Sequence, residues 1–160
     1  MPLIQKNSIA EMKRPFLYVT VICLFVSLLS FSPPKNTGLV QDVFSLTNQF
    51  RKSEGLPKLI MREELNEIAQ KHSEDMAKGR VGFGHAGFAK RNALANKKIK
   101  QVHSFAENVA YGATSGKAVV TMWENSPGHR RNMLGPYQYM GIGVAKDSQG
   151  RIYYTEVFAG

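Results

Sequence analysis

Four histidines and a single cysteine carry most of the chemistry open to this 160-residue chain, and their neighbours separate them. Cys23 lies in an apolar run near the N-terminus, and no cysteine follows it. Beyond that run there is no thiol nucleophile, no disulfide and no cysteine-based zinc site. Any metal there must be held by His, Asp or Glu. His85 sits in VGFGHAGF, a glycine-rich loop of the kind that presents side chains for binding more often than it packs them. His129 falls at the third position of a helix opened by Ser126-Pro127. The positive end of that helix favours the neutral imidazole, the form that binds metal. His72 lies on an apolar helical stripe and reads as a core or boundary residue. His103, near Lys97, Lys98 and Lys100, reads as a surface residue.

Among the acids Glu107 stands out, because a carboxylate inside the apolar strand FAENVAY is costly unless paired. Three roles are open to it: a salt bridge with an arginine, hydrogen bonds from backbone amides, or a site shared with His85 and His129. Glu156 in YTEVF poses the same question, and an ion pair across the sheet is the expected answer. Ser126, His129 and Glu107 have the residue types of a Ser-His-acid hydrolase. A helix-capping role accounts for Ser126 without catalysis, and three residues along a first turn is poor geometry for a nucleophile and its base.

The elements that must position these residues follow from periodicity. Val40, Val43, Phe44, Thr47 and Phe50, spaced at i, i+3, i+4, i+7 and i+10, predict a helix over 36–52, ended by Gly55 and Pro57. A second helix is expected over 61–78, with Leu65, Ile68, Ala69, His72 and Met76 on one stripe, and a basic one over 88–98. Residues 103–111 read as a strand and 116–125 as a helix, followed by the short turn that Ser126-Pro127 begins. Two strands, 139–146 and 151–158, are joined by Asp147-Ser148-Gln149-Gly150, a hairpin signal. Both have few polar positions on either face, which predicts a sheet covered on both sides. The expected class is α+β, an α-β-α sandwich around a small antiparallel sheet.

Composition narrows the partners. Residues 16–31, FLYVTVICLFVSLLSF, carry no charge, follow Lys13-Arg14 and precede Pro33-Pro34. That layout predicts a signal peptide or an N-terminal membrane anchor over 1–34, with the rest of the chain, 35–160, on the far side of the membrane. The formal net charge is +9 for the whole chain. Beyond the leader, 18 basic residues stand against 11 acidic ones, a net +7. Export places nucleic acid last among the partners of such a chain. Lys90, Arg91, Lys97, Lys98 and Lys100 read as a solvated helix face, with anionic polymers or headgroups at an envelope surface as the second reading.

Taken in order, TNQFRKSEGLPKL, AQKHSEDMA, FGHAGF, AENVAYG, MWENSPGHRRNML and MGIGVAKDSQGRIYYTEVFAG resemble the CAP superfamily (cysteine-rich secretory protein, antigen 5, pathogenesis-related 1), and more closely its cysteine-free bacterial SCP-like branch. The resemblance spans about residues 39–160 and implies the same α-β-α sandwich. It also implies a cleft of two histidines and two glutamates that in several members holds a divalent metal. By that match His85 is the first histidine, Glu107 the first glutamate and His129 the second histidine, a possible zinc site. The second glutamate position is Ser126, while Glu124 follows Trp123 directly; one step along a helix turns a side chain by about 100°. The implied function is an extracytoplasmic binding module for a small apolar molecule, a glycan or a partner protein. The alternative is a secreted hydrolase, metal-dependent or metal-free, using His85, Glu107 and His129.

Overall fold

The computed structural model describes residues 37–160; the expected leader lies outside them. Helix α1 covers Thr37–Ser53 and buries Val43, Thr47, Asn48 and Arg51. A two-residue strand, β1 (Ile60–Met61), leads into α2 (Glu63–Ala77), whose first turn carries Glu63 and Glu64, where the helix dipole favours acids. Next come α3 (Phe88–Lys98), β2 (Phe105–Tyr111) and α4 (Gly116–Glu124), the last capped by the Ser115 hydroxyl, which accepts from the Ala118 N–H at 3.1 Å. A short α5 (Pro127–Met133) precedes the hairpin of β3 (Tyr139–Lys146) and β4 (Ile152–Ala159).

The sheet order is β1-β3-β4-β2. Its three long strands are antiparallel, as expected, but β1 runs parallel to β3 through Ile60↔Tyr139 and Met61↔Met140, so the sheet is mixed. Two residues are too few to show the alternation that marks a strand, so β1 leaves no signal in the sequence.

Alternation along the hairpin sorts the core into two layers. Tyr154 and Phe158 of β4, with Met140, Ile142 and Val144 of β3, face α1, α4 and α5 and bury Val43, Val119, Trp123 and Met133. Val157 and Ala159 face the other way, onto Leu65, Ile68 and Ala69 of α2 and Ala95 of α3. The sheet is therefore covered on both faces, as its apolar strands require.

Helix α2 lies directly on the backbone of β3. A Cβ at Gly141 would collide with Leu65, and one at Gly143 with Ala69 and Gln70. From this position Asn66 Oδ1 accepts the Ile142 N–H at 2.9 Å and Gln70 Oε1 the Val144 N–H at 3.0 Å. Four helical residues rise about 6 Å and two strand residues about 6.8 Å, so amides at i and i+4 can serve alternate N–H groups of β3 beyond the two residues that β1 pairs. Among the described residues, no helix is long and apolar enough to cross a membrane.

Candidate functional site

Glu107 lies at the middle of β2 with its side chain fully buried. Of its three possible roles the structure gives it the salt bridge with an arginine, and His85 joins that pair. The Arg91 guanidinium, reaching in from α3, donates from Nε to Oε2 at 2.6 Å and from Nη2 to Oε1 at 2.7 Å. The His85 Nδ1 sits 2.9 Å from the same Oε1. Arg91 Nη1 also donates to the Ala86 carbonyl at 2.7 Å, which ties the histidine loop to the ion pair. Gly87, with φ of 80°, opens α3 in a left-handed conformation that an L side chain rarely adopts, and so turns the loop back over Arg91.

Arg91 departs furthest from its expected place. It belongs to the basic run expected to be a solvated face, and it is buried. Lys90, Lys97, Lys98 and Lys100 are exposed, as that reading expected. The signal was present in FAENVAY, since a strand-buried carboxylate needs a cation, but spacing alone could not choose among the arginines.

His72 is buried on α2, as expected, and it also serves the site. Its Nε2 lies 2.8 Å from the Gly84 carbonyl and 3.9 Å from Glu107 Oε1. Burial keeps its pKa below the usual imidazole value, outweighing the opposing pull of the Gly84 carbonyl. His103 is exposed, outside the cluster.

His129 is carried by α5, which two asparagines fasten to β2. Asn132 Nδ2 donates to the Glu107 carbonyl at 3.1 Å and to Asn108 Oδ1 at 2.9 Å, and Asn108 Nδ2 reaches the His129 carbonyl at 3.3 Å. Burial, and secondarily the nearby His85, hold the His129 pKa below its usual value. Its Nδ1 is buried without a hydrogen-bond partner. Thus His85 bonds to Glu107, while His129 makes no side-chain bond to either and is tied to β2 only through the carbonyl and asparagine bonds of α5.

Two smaller expectations are corrected. Ser126 occupies the N-cap position of α5, but its hydroxyl makes no capping bond. Glu156 forms no ion pair across the sheet: Thr47 donates to its Oε1 at 2.7 Å, and Oε2 has no partner. The nearest cation, Arg51, is spent on the carbonyls of Pro57, Met133 and Gly135 at 3.0, 2.7 and 2.9 Å. Burial pushes the Glu156 carboxyl up to about 8 against the pull of Thr47, Asn108 and Arg51, so at pH 7 it is mostly a neutral acid.

The donor set implied for a zinc ion does not fit these residues as they stand. Both Glu107 oxygens are engaged and its charge is balanced by Arg91. His129 has no acceptor behind Nδ1 of the kind that orients a ligating imidazole. Among the described residues, no three His, Cys, Asp or Glu side chains are grouped so as to hold an ion. Glu124 makes no hydrogen bond or ion pair to the cluster that would supply the missing carboxylate. A cavity of about 440 Å³ opens beside His72 and Arg91, edged by Val81, Lys90 and Leu94. A larger one, about 640 Å³, lies between α1, α2 and β3, away from all four histidines.

This sandwich, with His85, Glu107 and Arg91 joined at β2, is that of a known class. Residues 44–158 match the cysteine-rich secretory protein family, CAP, and the chain belongs to that family. It is 34% identical over 123 residues to the uncharacterized membrane protein YlbC of Bacillus subtilis (strain 168), covering 74% of this chain and 33% of that protein. It is 32% identical over 136 residues to the uncharacterized protein YkwD of the same strain, covering 81% of this chain and 50% of that one. The chain therefore spans between a third and a half of the length of these relatives. An extracellular protein containing a SCP domain, from Bacillus anthracis str. Ames, shares the fold at a TM-score of 0.66 and 29% identity, covering 76% of this chain and 40% of that one.

Proposed function

We propose that this chain is an extracytoplasmic CAP-domain protein whose cleft is a binding site rather than a hydrolytic centre. The observation that carries this reading is the bidentate Arg91–Glu107 pair. A carboxylate held by a guanidinium on both oxygens, with its side chain fully buried, is a poor general base, because protonating it would break the pair. Its work here is to hold His85 at the lip of the cleft, where the imidazole is half-exposed. Export is supported by the leader's basic flank and apolar run, and by the extracellular SCP-domain protein with which the chain shares its fold.

The test pairs localisation with association. The full chain, tagged at its C-terminus, is fractionated from its producing cells, and its binding to isolated envelope material is measured by sedimentation. Alongside, chromogenic ester and peptide substrates are assayed. Recovery outside the cytoplasm, saturable envelope binding and no turnover are the expected results. Hydrolysis that Glu107→Gln and His129→Ala abolish while the fold persists would overturn the reading in favour of the hydrolase.

A further inference from the structure

On the edge of the sheet opposite β2, strand β1 stops after two residues and α2 begins. Past Met140, β3 therefore has no neighbouring strand on that side among the described residues, and the cavity of about 640 Å³ opens along it. Val40 of α1, Met61 of β1, and Ile142 and Val144 of β3 give this groove an apolar floor. Glu63, Glu67 and Glu74 of α2 stand along its side, and its described lining holds no lysine, arginine or histidine. The chain beyond the leader carries a net +7, so this is an acidic, apolar groove on a basic protein.

Two relays orient the carboxylates without neutralising them. Asn66 accepts the Ile142 N–H through Oδ1 and donates from Nδ2 to Glu63 Oε2 at 3.0 Å. Farther along α2, Gln70 accepts the Val144 N–H through Oε1 and donates from Nε2 to Glu74 Oε1 at 3.1 Å. A neutral amide positions a carboxylate and leaves its charge intact. Glu63 forms no ion pair among the described residues. Glu67 meets Lys98 at 2.5 Å and Glu74 meets Lys78 at 3.5 Å, exposed contacts of a kind that hold weakly and yield to a better-placed cation.

Spacing narrows the ligand. Glu63, Glu67 and Glu74 recur at i, i+4 and i+11 on one stripe of α2, with successive gaps of about 6 and 10.5 Å along its axis. That is too spread for a single metal ion, and no three acids among the described residues are grouped to hold one. A fatty acid would bring its own carboxylate against these. An added peptide strand would need the N–H groups of Ile142 and Val144, which Asn66 and Gln70 already use. What matches is a flexible methylene chain with ammonium groups at intervals, apolar over the floor and cationic at the carboxylates.

We propose that this groove binds a linear aliphatic polyamine, its methylenes on Val40, Met61, Ile142 and Val144 and its ammonium groups on Glu63, Glu67 and Glu74. The site lies on the other edge of the sheet from His85 and Glu107 and is independent of the role given to them.

The experiment is calorimetric titration of the full chain with spermine at physiological salt, with magnesium chloride and trilysine titrated separately. Spermine should bind at one site per chain, and the positive charge of the protein as a whole provides no general attraction that could imitate it. Its affinity should fall about tenfold or more in each of Glu63→Gln, Glu74→Gln and Gln41→Lys. Gln41 is an exposed residue of α1 on the groove, so the lysine sets a tethered ammonium inside it and leaves the fold intact. Glu124→Gln removes the same charge outside the groove and should bind as the wild type does. In NMR titration the amide signals of Ile142 and Val144 should move and that of Glu107 should not. The proposal is overturned by any one of four results: no spermine binding, a loss in Glu124→Gln equal to that in Glu63→Gln, displacement of spermine by magnesium at equal concentration, or tighter binding of trilysine than of spermine. The second and third would reduce the groove to a diffuse acidic surface, and the fourth would assign it to a basic peptide.

Discussion

Arg91 and Glu107 form a desolvated bidentate pair between α3 and β2, with Nε–Oε2 and Nη2–Oε1 separations of 2.6 and 2.7 Å and a carboxylate shielded from solvent. Because neither charge can be rehydrated without opening the loop, the pair fixes where His85 stands. Breaking one side leaves an uncompensated buried charge, which costs about 3–5 kcal/mol, whereas replacing both with apolar groups of similar volume is near neutral. Arg91→Met is expected to lose that much in urea denaturation, and Arg91→Met with Glu107→Leu to recover most of it. A single variant within about 1 kcal/mol of the wild type would mean that the pair is hydrated in solution.

The contact between α2 and β3 has no slack. Any Cβ at Gly143 meets the backbone of Ala69 and Gln70, which cannot step aside without moving the helix. Gly143→Ala is expected to cost about 1–3 kcal/mol or more, as overpacking does, and to shift the amide resonances of α2 and β3 together. Gly128→Ala is the control, since nothing lies within 4 Å of a Cβ there. Equal melting temperatures for the two variants would refute the close approach.

Much of this arrangement was legible in the residues, and the parts that were not share a cause. The helix expected over 88–98 is Phe88–Lys98, and the hairpin strands fall at Tyr139–Lys146 and Ile152–Ala159, within one residue of the expected bounds. Each has a long, strongly patterned run with a turn or stop residue at its end. His85 and Glu107 were marked by local misfit: an imidazole among glycines and a carboxylate among apolar neighbours. Arg91 and Arg51 were not, because a buried arginine looks like any other on its own helix, and their partners lie on other elements. The unused Ser126 hydroxyl is the converse, a local signal that tertiary placement left idle.

Asn132 fastens the His129 helix to β2 through two bonds, to the Glu107 carbonyl at 3.1 Å and to Asn108 Oδ1 at 2.9 Å. Asn132→Ala removes the donor and leaves both acceptors short. The expected loss is about 1–3 kcal/mol, concentrated in α5. Hydrogen exchange should speed at Arg130 and Leu134, whose N–H groups bond to Ser126 and Arg130, while β3 and β4 stay protected. Uniform acceleration across the chain would instead indicate global destabilisation, with no local role for Asn132.

Glu156 gives the protein a pH dependence that can be isolated. Its carboxyl is raised to about 8 in the folded state from an unfolded value of 4.5, so the unfolded chain loses the proton first as pH rises. Stability conferred by the protonated group is complete below about pH 4.5 and is lost up to about pH 8, at up to about 1.4 kcal/mol per unit. His72 and His129 act in the opposite sense: their pKa values lie below 6.5 when folded, so stability is lost as pH falls below 6.5. Asp75 and Asp147 are shifted further down, and Tyr137 and Tyr154 upward from 10. Between pH 6.5 and 8 the unfolded imidazoles finish deprotonating, a smaller opposing contribution that a Glu156 variant shares with the wild type, so the difference between the two isolates Glu156. Relative to Glu156→Gln, the wild-type chain should lose about 1.5 kcal/mol across that window, read from the two urea midpoints. Glu156→Gln, which keeps the shape and an acceptor for Thr47 but carries no titrating proton, should flatten the slope and be the more stable of the two at pH 8. A slope that survives the substitution would place its source elsewhere in the chain.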